Sequence, residues 1–351
     1  MRTHTNLYSR IVAFPNLLHA ARLAQRGKRF KSSTARFNFF LEYELWRLHR
    51  ALAAKKYRPG KYQHFRIYEP KERIISAAPY RDRVVHHAVH NILEPLFEPT
   101  FIFDSYATRK GKGTHAAIDR FQHCARAMPY VLKCDIQQYF PSIDHDILMQ
   151  LLRRKIACTD TLELIATILA SHRTMAPALQ PTDRPTDRII GIPIGNLTSQ
   201  FFANVYLTAF DHFVQERLGC RYYVRYMDDF VIFEKDKQRL WKIKAEIVQY
   251  LQSLRLRLHE GKCRIFRVAH GVPFLGLVVF PRRRRLQRAN VVRARRRLHR
   301  LQKLDRHGVV SWSHVIGSIR AWIGHAQHAD TMQLRTLLLG DIVFQRKGDA
   351  S

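Results

Sequence analysis

Asp228 and Asp229 stand side by side between two apolar, β-branched segments, residues 222–226 and 230–233. Asp135 closes a third such segment, which begins at Tyr130. A strand-end aspartate and a hairpin-tip pair can converge on one face of a sheet. Three carboxylates brought together repel and raise one another's pKa unless a divalent cation sits among them. Oxygen-only donors in small number, leaving positions for phosphate, suit Mg²⁺. Two such ions clamp the attacking and departing oxygens of an in-line phosphoryl displacement. A bare Asp-Asp pair is more often a polar turn, so the flanking segments and the distant Asp135 carry the argument.

The elements that must position these residues can be read from periodicity. The segment Tyr130-Val-Leu-Lys-Cys-Asp reads as a strand, and Tyr222–Tyr226 with Phe230–Phe233 as a hairpin turning at Met227-Asp228-Asp229. Apolar spacing predicts a helix from Ser33 that places Phe37, Phe40, Leu41, Trp46, Leu48 and Leu52 on one face and stops before Pro59-Gly60. A strand at residues 62–68 pairs with one at 73–76 across the turn Glu-Pro-Lys-Glu. Further helices are predicted at 82–97, from Asp144 and over 199–218. Residues 174–188 read as an exposed loop, and residues 1–32 as basic and weakly patterned. Residues 281–300 hold ten arginines and no acid, ahead of helical patterning through Ile323. The picture is an α+β body followed by a basic helical appendix.

Composition narrows the partners. The 351 residues carry 60 Lys and Arg against 28 Asp and Glu, a formal charge of +32. The hydrophobic share of 46% is that of a folded protein rather than a disordered chain. So much like charge calls for a polyanion, and nucleic acid fits best. The longest apolar run, Pro273–Pro281, is far short of the ~20 residues of a membrane span. The first residues lack a signal-peptide pattern. The five cysteines form no CxxC pair and read as ordinary buried thiols, which points to the cytoplasm.

Tyr226-Met227-Asp228-Asp229, in this setting, resembles the YMDD box of reverse transcriptases. KCDIQQYFPSIDH, from Lys133, resembles the first catalytic block of that family. FDSYATRKGKGTHAAI, from Phe103, is similar to the fingers block of group II intron-like enzymes. LRLRLHEGKCRIF, from Leu254, and then PFLGLVV resemble the closing palm blocks. The resemblance implies a right-hand polymerase: an N-terminal basic, helical extension over 1–60, fingers and a ferredoxin-like palm over 61–280, and a small arginine-rich helical thumb over 281–351. It implies that Asp135, Asp228 and Asp229 hold two Mg²⁺ ions and that Lys262 serves the pyrophosphate leaving group. Lys71 and Arg73 would hold the incoming dNTP triphosphate, where positive charge meets the charge spread over phosphate oxygens. Phe140 would floor the sugar site and exclude a 2′-hydroxyl. The thumb arginines would grip the RNA/cDNA duplex by its backbone and shape.

One block departs from the common pattern. Most reverse transcriptases carry Gln-Gly-x-x-x-Ser-Pro before the hairpin. Here the stretch is Ile194-Gly195-Asn196-Leu197-Thr198-Ser199-Gln200, with Ile194 in the glutamine's place and Gln200 in the proline's. This combination resembles the reverse transcriptases of diversity-generating retroelements, which copy a template RNA with frequent errors at adenines so that the cDNA overwrites a variable gene. Isoleucine cannot replace an amide's hydrogen bonds, and losing one is worth ~1–3 kcal/mol, or roughly 5- to 150-fold in selectivity. The resemblance further implies template RNA and a pentameric basic accessory protein as partners. An accurate group II intron-like or retron enzyme stands as the alternative, and a catalytically silent RNA-binding scaffold as a third reading. Gly111-Lys112-Gly113-Thr114 lacks full phosphate-loop spacing. His86, His87 and His90 offer only a coincidental metal spacing in a chain with 19 histidines.

Overall fold

A computed structural model describes residues 3–68, 72–172, 174–175, 188–340 and 342–344. In chain order it contains α1 (Leu7–Val12), α2 (Phe14–Ala24), α3 (Ser32–Phe39), α4 (Leu41–Ala53), β1 (Gln63–Ile67), β2 (Arg73–Ala77), α5 (Tyr80–Phe97), α6 (Thr114–Ala127) and β3 (Tyr130–Asp135). Next come α7 (Tyr139–Ser142), α8 (His145–Arg153), α9 (Thr159–Ala170), the short strands β4 (Thr174–Met175) and β5 (Ile189–Ile190), α10 (Leu197–His212), β6 (Tyr223–Tyr226) and β7 (Asp229–Glu234). The chain continues through α11 (Lys237–Ser253), β8 (Arg264–Arg267), β9 (Val272–Phe274), β10 (Leu277–Val279) and β11 (Arg284–Leu286). It closes with α12 (Arg288–Arg306), α13 (Trp312–Ala326) and α14 (Met332–Gly340).

The centre is an antiparallel sheet in the order β6-β7-β3-β8. Because strand side chains alternate, its two faces can be read residue by residue. Leu132, Cys134, Tyr223, Phe230 and Ile232 point into a large core shared with α5, α8, α10 and α11. Val131, Val224, Val231 and Phe233 point into a second core with α6, β9 and β10. A sheet buried on both faces explains why these segments are apolar almost throughout. The free edge of β6 is covered by loop backbone: the Arg225 N–H donates to the Asp104 carbonyl at 2.9 Å, and the Tyr106 N–H to the Arg225 carbonyl at 2.9 Å.

Several sequence expectations change in detail. The helix expected from Ser33 breaks at Phe40, whose ψ of 34° leaves the helical region. The break rotates the apolar stripe, so that Phe37, Leu48 and Leu52 are buried while Phe40 and Trp46 stay exposed. The segment read as weakly patterned forms α1 and α2. Leu7, Ile11, Leu17 and Ala20 are buried in the same core as the sheet, against α5. In the arginine run, Arg284 and Arg285 belong to β11 and not to the helix, and Leu286 is buried there as a strand residue. Most of the loop expected at 174–188 lies outside the described residues. Among the described residues no helix is long and apolar enough to cross a membrane.

Candidate active site

The two strands that carry the carboxylates are locked in register. Cys134 faces Phe230 and Asp135 faces Asp229, so the last residue of β3 lies opposite the first residue of β7. Just beyond the ladder the Ile136 N–H donates to the Asp228 carbonyl at 3.1 Å, and the His259 N–H to the Asp135 carbonyl at 2.8 Å. The turn Tyr226–Asp229 is therefore tied to β3 by backbone at the acidic pair itself. Met227 takes φ 58°, a left-handed conformation that a non-glycine residue adopts at some cost and that recurs at functional turns.

What holds that turn is a buried polar cluster that sequence reasoning missed. Arg225 is fully buried on the face of β6 that meets α10. Its guanidinium forks onto Asp211, with Nε donating to Oδ1 at 2.7 Å and Nη2 to Oδ2 at 2.6 Å. Tyr223 Oη donates to the same Asp211 Oδ1 at 2.8 Å. The remaining nitrogen, Nη1, reaches Asn204 Oδ1 at 3.1 Å and the Met227 carbonyl at 3.2 Å. A buried ion pair needs its donors and acceptors satisfied, and here Nη1 also reaches the backbone of the turn itself. Strand parity was the available signal: Arg225 shares a face with Tyr223, so its side chain must enter the core. From the opposite side Thr114 Oγ1, at the start of α6, donates to Tyr226 Oη at 3.1 Å.

The electrostatics fit a cation site. Burial, then the neighbouring Asp229, with Asp135 adding, push the Asp228 carboxyl up to about 6, while Arg73 opposes the rise. Two lysines sit against the other carboxylates. Lys262 Nζ donates to Asp135 Oδ1 at 2.5 Å, and Lys133 Nζ lies 3.9 Å from Asp229 Oδ1. Among the described residues no three His, Cys, Asp or Glu side chains close around a common point. The acids thus repel one another through space while two of them lean on ammonium groups. An all-oxygen donor set that includes a carboxyl pushed up by burial and its acidic neighbours fits a hard cation such as Mg²⁺.

The other expected residues distribute as follows. Lys262 lies beside Asp135, and Arg73, at the start of β2, is within electrostatic reach of Asp228. Lys71 lies outside the described residues. The half-buried Phe140 bonds through its carbonyl to the Ile192 N–H at 3.0 Å, which joins it to the Ile194 block. That block is also held to β2, where the Ser76 N–H donates to the Ile194 carbonyl at 3.1 Å. Gly195 has φ +117°, and a Cβ there would sit 2.9 Å from the Ile75 side chain, so this position calls for glycine. Gln200 lies in the first turn of α10, half-buried. Asp144, expected near a helix start, caps α8 through the N–H groups of Asp146 and Ile147. The histidines 86, 87 and 90 form no metal set among the described residues.

Comparison with known proteins agrees with this geometry. Residues 61–279 match the family described as reverse transcriptase (RNA-dependent DNA polymerase). The Escherichia coli protein YkfC is 28% identical over 279 residues, covering 66% of this chain and 71% of its own length. The group II intron-encoded protein LtrA of Lactococcus lactis subsp. cremoris is 27% identical over 152 residues, which is 41% of this chain and 23% of that protein. Against the intron-encoded relatives this chain thus spans a quarter or less of their length. The apo telomerase of Candida tropicalis overlays 80% of this chain and 60% of its own at 10% identity, with a TM-score of 0.49. A family match across more than half of the residues, over the very strands that carry the carboxylates, places the chain in the reverse transcriptase family, with homologues among group II intron-encoded proteins.

Proposed function

We propose that this reverse transcriptase copies a structured template RNA into cDNA with frequent errors at adenines, as the mutagenic polymerase of a diversity-generating retroelement. The observation that carries the reading is Ile194. Its backbone is pinned to β2 through Ser76, and the neighbouring Ile192 is pinned to Phe140, so an apolar side chain occupies the position where most of the family has an amide. Nucleotide selection then rests on shape alone at a point where a hydrogen bond would add ~1–3 kcal/mol of discrimination.

In this reading Asp135, Asp228 and Asp229 hold two Mg²⁺ ions, which when bound supply charge neutralisation and alignment for in-line transfer. Arg73 and Lys71 orient the triphosphate of the incoming dNTP, and Phe140 floors its sugar. Lys262, which contacts Asp135, is placed to present its ammonium to the departing pyrophosphate. The arginines of α12 grip the RNA/cDNA duplex. Template RNA, a pentameric basic accessory protein and a cytoplasmic setting belong to the same reading.

The test is fidelity. Primer extension on an RNA template, followed by sequencing of the cDNA, should show errors concentrated at template adenines in the parent. They should fall by about 5-fold or more in Ile194→Gln. An accurate parent, or an unchanged error spectrum in the variant, would instead favour the accurate group II intron-like alternative.

A further inference from the structure

Two cysteines that are 129 residues apart in sequence meet directly beneath the candidate active site. Cys134 Sγ and Cys263 Sγ are 2.9 Å apart, in contact as free thiols. Cys134 immediately precedes Asp135, and Cys263 immediately follows Lys262. The pairing of β3 with β8 runs to Lys133 opposite Arg264, so the next position along brings Cys134 opposite Cys263. Directly opposed residues of antiparallel strands have Cα atoms ~4.5–5.5 Å apart, inside the ~4.4–6.8 Å span of a disulfide. Both side chains belong to the main core. Cys134 is fully buried, while Cys263 retains 5% exposure and is the less enclosed residue of the pair.

We propose that Cys134 and Cys263 form a site of reversible oxidative modification, an intramolecular disulfide made by peroxide that switches the polymerase off. The Cys263 sulfur attacks one oxygen of hydrogen peroxide; the O–O bond breaks, one water leaves and a sulfenic acid remains. The Cys134 sulfur then attacks the Cys263 sulfur; the S–S bond forms, the S–O bond breaks and a second water leaves. The two thiols are oxidised, the peroxide is reduced, and the thiol protons end in the two waters. A cellular thiol reverses the change by exchange. Transient, regulatory disulfides of this kind are the form expected where the surroundings are reducing.

The consequence follows from position. The sulfurs must close from 2.9 Å to about 2.05 Å inside a close-packed core that does not absorb such movement freely. The two residues displaced are the direct chain neighbours of Asp135 and Lys262, which touch each other at 2.5 Å. A shift of about 1 Å in a positioned group can cost on the order of 100-fold in rate. The oxidised protein should therefore extend primers about 10- to 100-fold more slowly than the reduced protein.

The experiment treats the full chain with hydrogen peroxide and follows intact mass, a non-reducing peptide map and RNA-templated primer extension. Three results are expected: loss of the mass of two hydrogens, a peptide linking Cys134 to Cys263, and a fall in extension that dithiothreitol restores. Cys263→Ser and Cys263→Ala, two substitutions of different polarity, should extend primers as the reduced parent does and resist peroxide. The mass and peptide readouts do not depend on polymerase activity, so they separate failure of this inference from failure of the functional reading. Peroxide treatment that leaves the pair unlinked would overturn it, and so would a linked protein that extends primers at the reduced rate.

Discussion

The Tyr226–Asp229 turn and the arginine-rich helix α12 carry opposite charge and are held by opposite means. The turn is fixed from below by a fully buried Arg225–Asp211 pair and at its acidic end by backbone pairing to β3. Helix α12 packs through a narrow stripe, Ala294, Leu298 and Leu301, while Arg295, Arg296 and Arg300 stand in solvent. One region concentrates repelling acids in a rigid frame, as the proposed catalytic role of those carboxylates requires. The other spreads cations over a surface, and the proposed grip on a phosphate backbone needs charge more than fixed geometry. In the proposed reading the two regions thus fail in different ways when disturbed.

The sharpest division should come from Arg225→Leu. Removing one partner of a buried ion pair leaves Asp211 uncompensated and frees the Met227 carbonyl, at a cost of about 3–5 kcal/mol. Urea unfolding should show that loss at any salt concentration. A stability within 0.5 kcal/mol of the parent would mean that the cluster does not brace the turn.

A smaller effect is expected from pH. Burial is the main cause that lowers the His86 pKa, from 6.5 to about 4, and its Nδ1 has no hydrogen-bond partner. Its folded-state pKa lies below the unfolded one, so the unfolded chain takes up the proton first as pH falls. Stability is full above about 6.5 and declines toward about 4, by at most about 3 kcal/mol. Denaturation midpoints measured across that window should fall less steeply for His86→Gln. A parallel decline would assign the acid sensitivity to other groups.

Helix α12 should behave in the reverse sense. Replacing Arg295 and Arg296, both exposed, with Ala should leave stability within about 0.5 kcal/mol. The slope of log affinity for an RNA/DNA duplex against log salt should become shallower by about 2, one per lost phosphate contact. A loss of affinity that does not vary with salt would show that this helix does more than supply charge.

How much of this was legible in the sequence differs between the two regions for a physical reason. Asp135, Asp228 and Asp229 stood out because each interrupts an apolar strand, a pattern that survives without knowledge of the fold. The hairpin, α5, α10 and the β1–β2 pairing were legible from their periodicity for the same reason. Arg225 is one cation among 60 in the sequence, and its value lies in Asp211 and Asn204, which reach it only through the packing of α10 on the sheet. The Cys134–Cys263 contact was hidden likewise, since strand order decides it and spacing does not. The break at Phe40 does not show in the apolar spacing, which runs on through it, and tertiary packing selects where the two helices part.

The central claim, that the three aspartates on β3 and the β6–β7 turn perform nucleotidyl transfer, is tested most directly by RNA-templated primer extension with Mg²⁺ and dNTPs, comparing the parent with Asp228→Asn. That substitution keeps the side chain's size and removes its charge. The account predicts extension by the parent and a fall of at least about 100-fold in the variant, with template binding retained. Equal extension by the two proteins would contradict it.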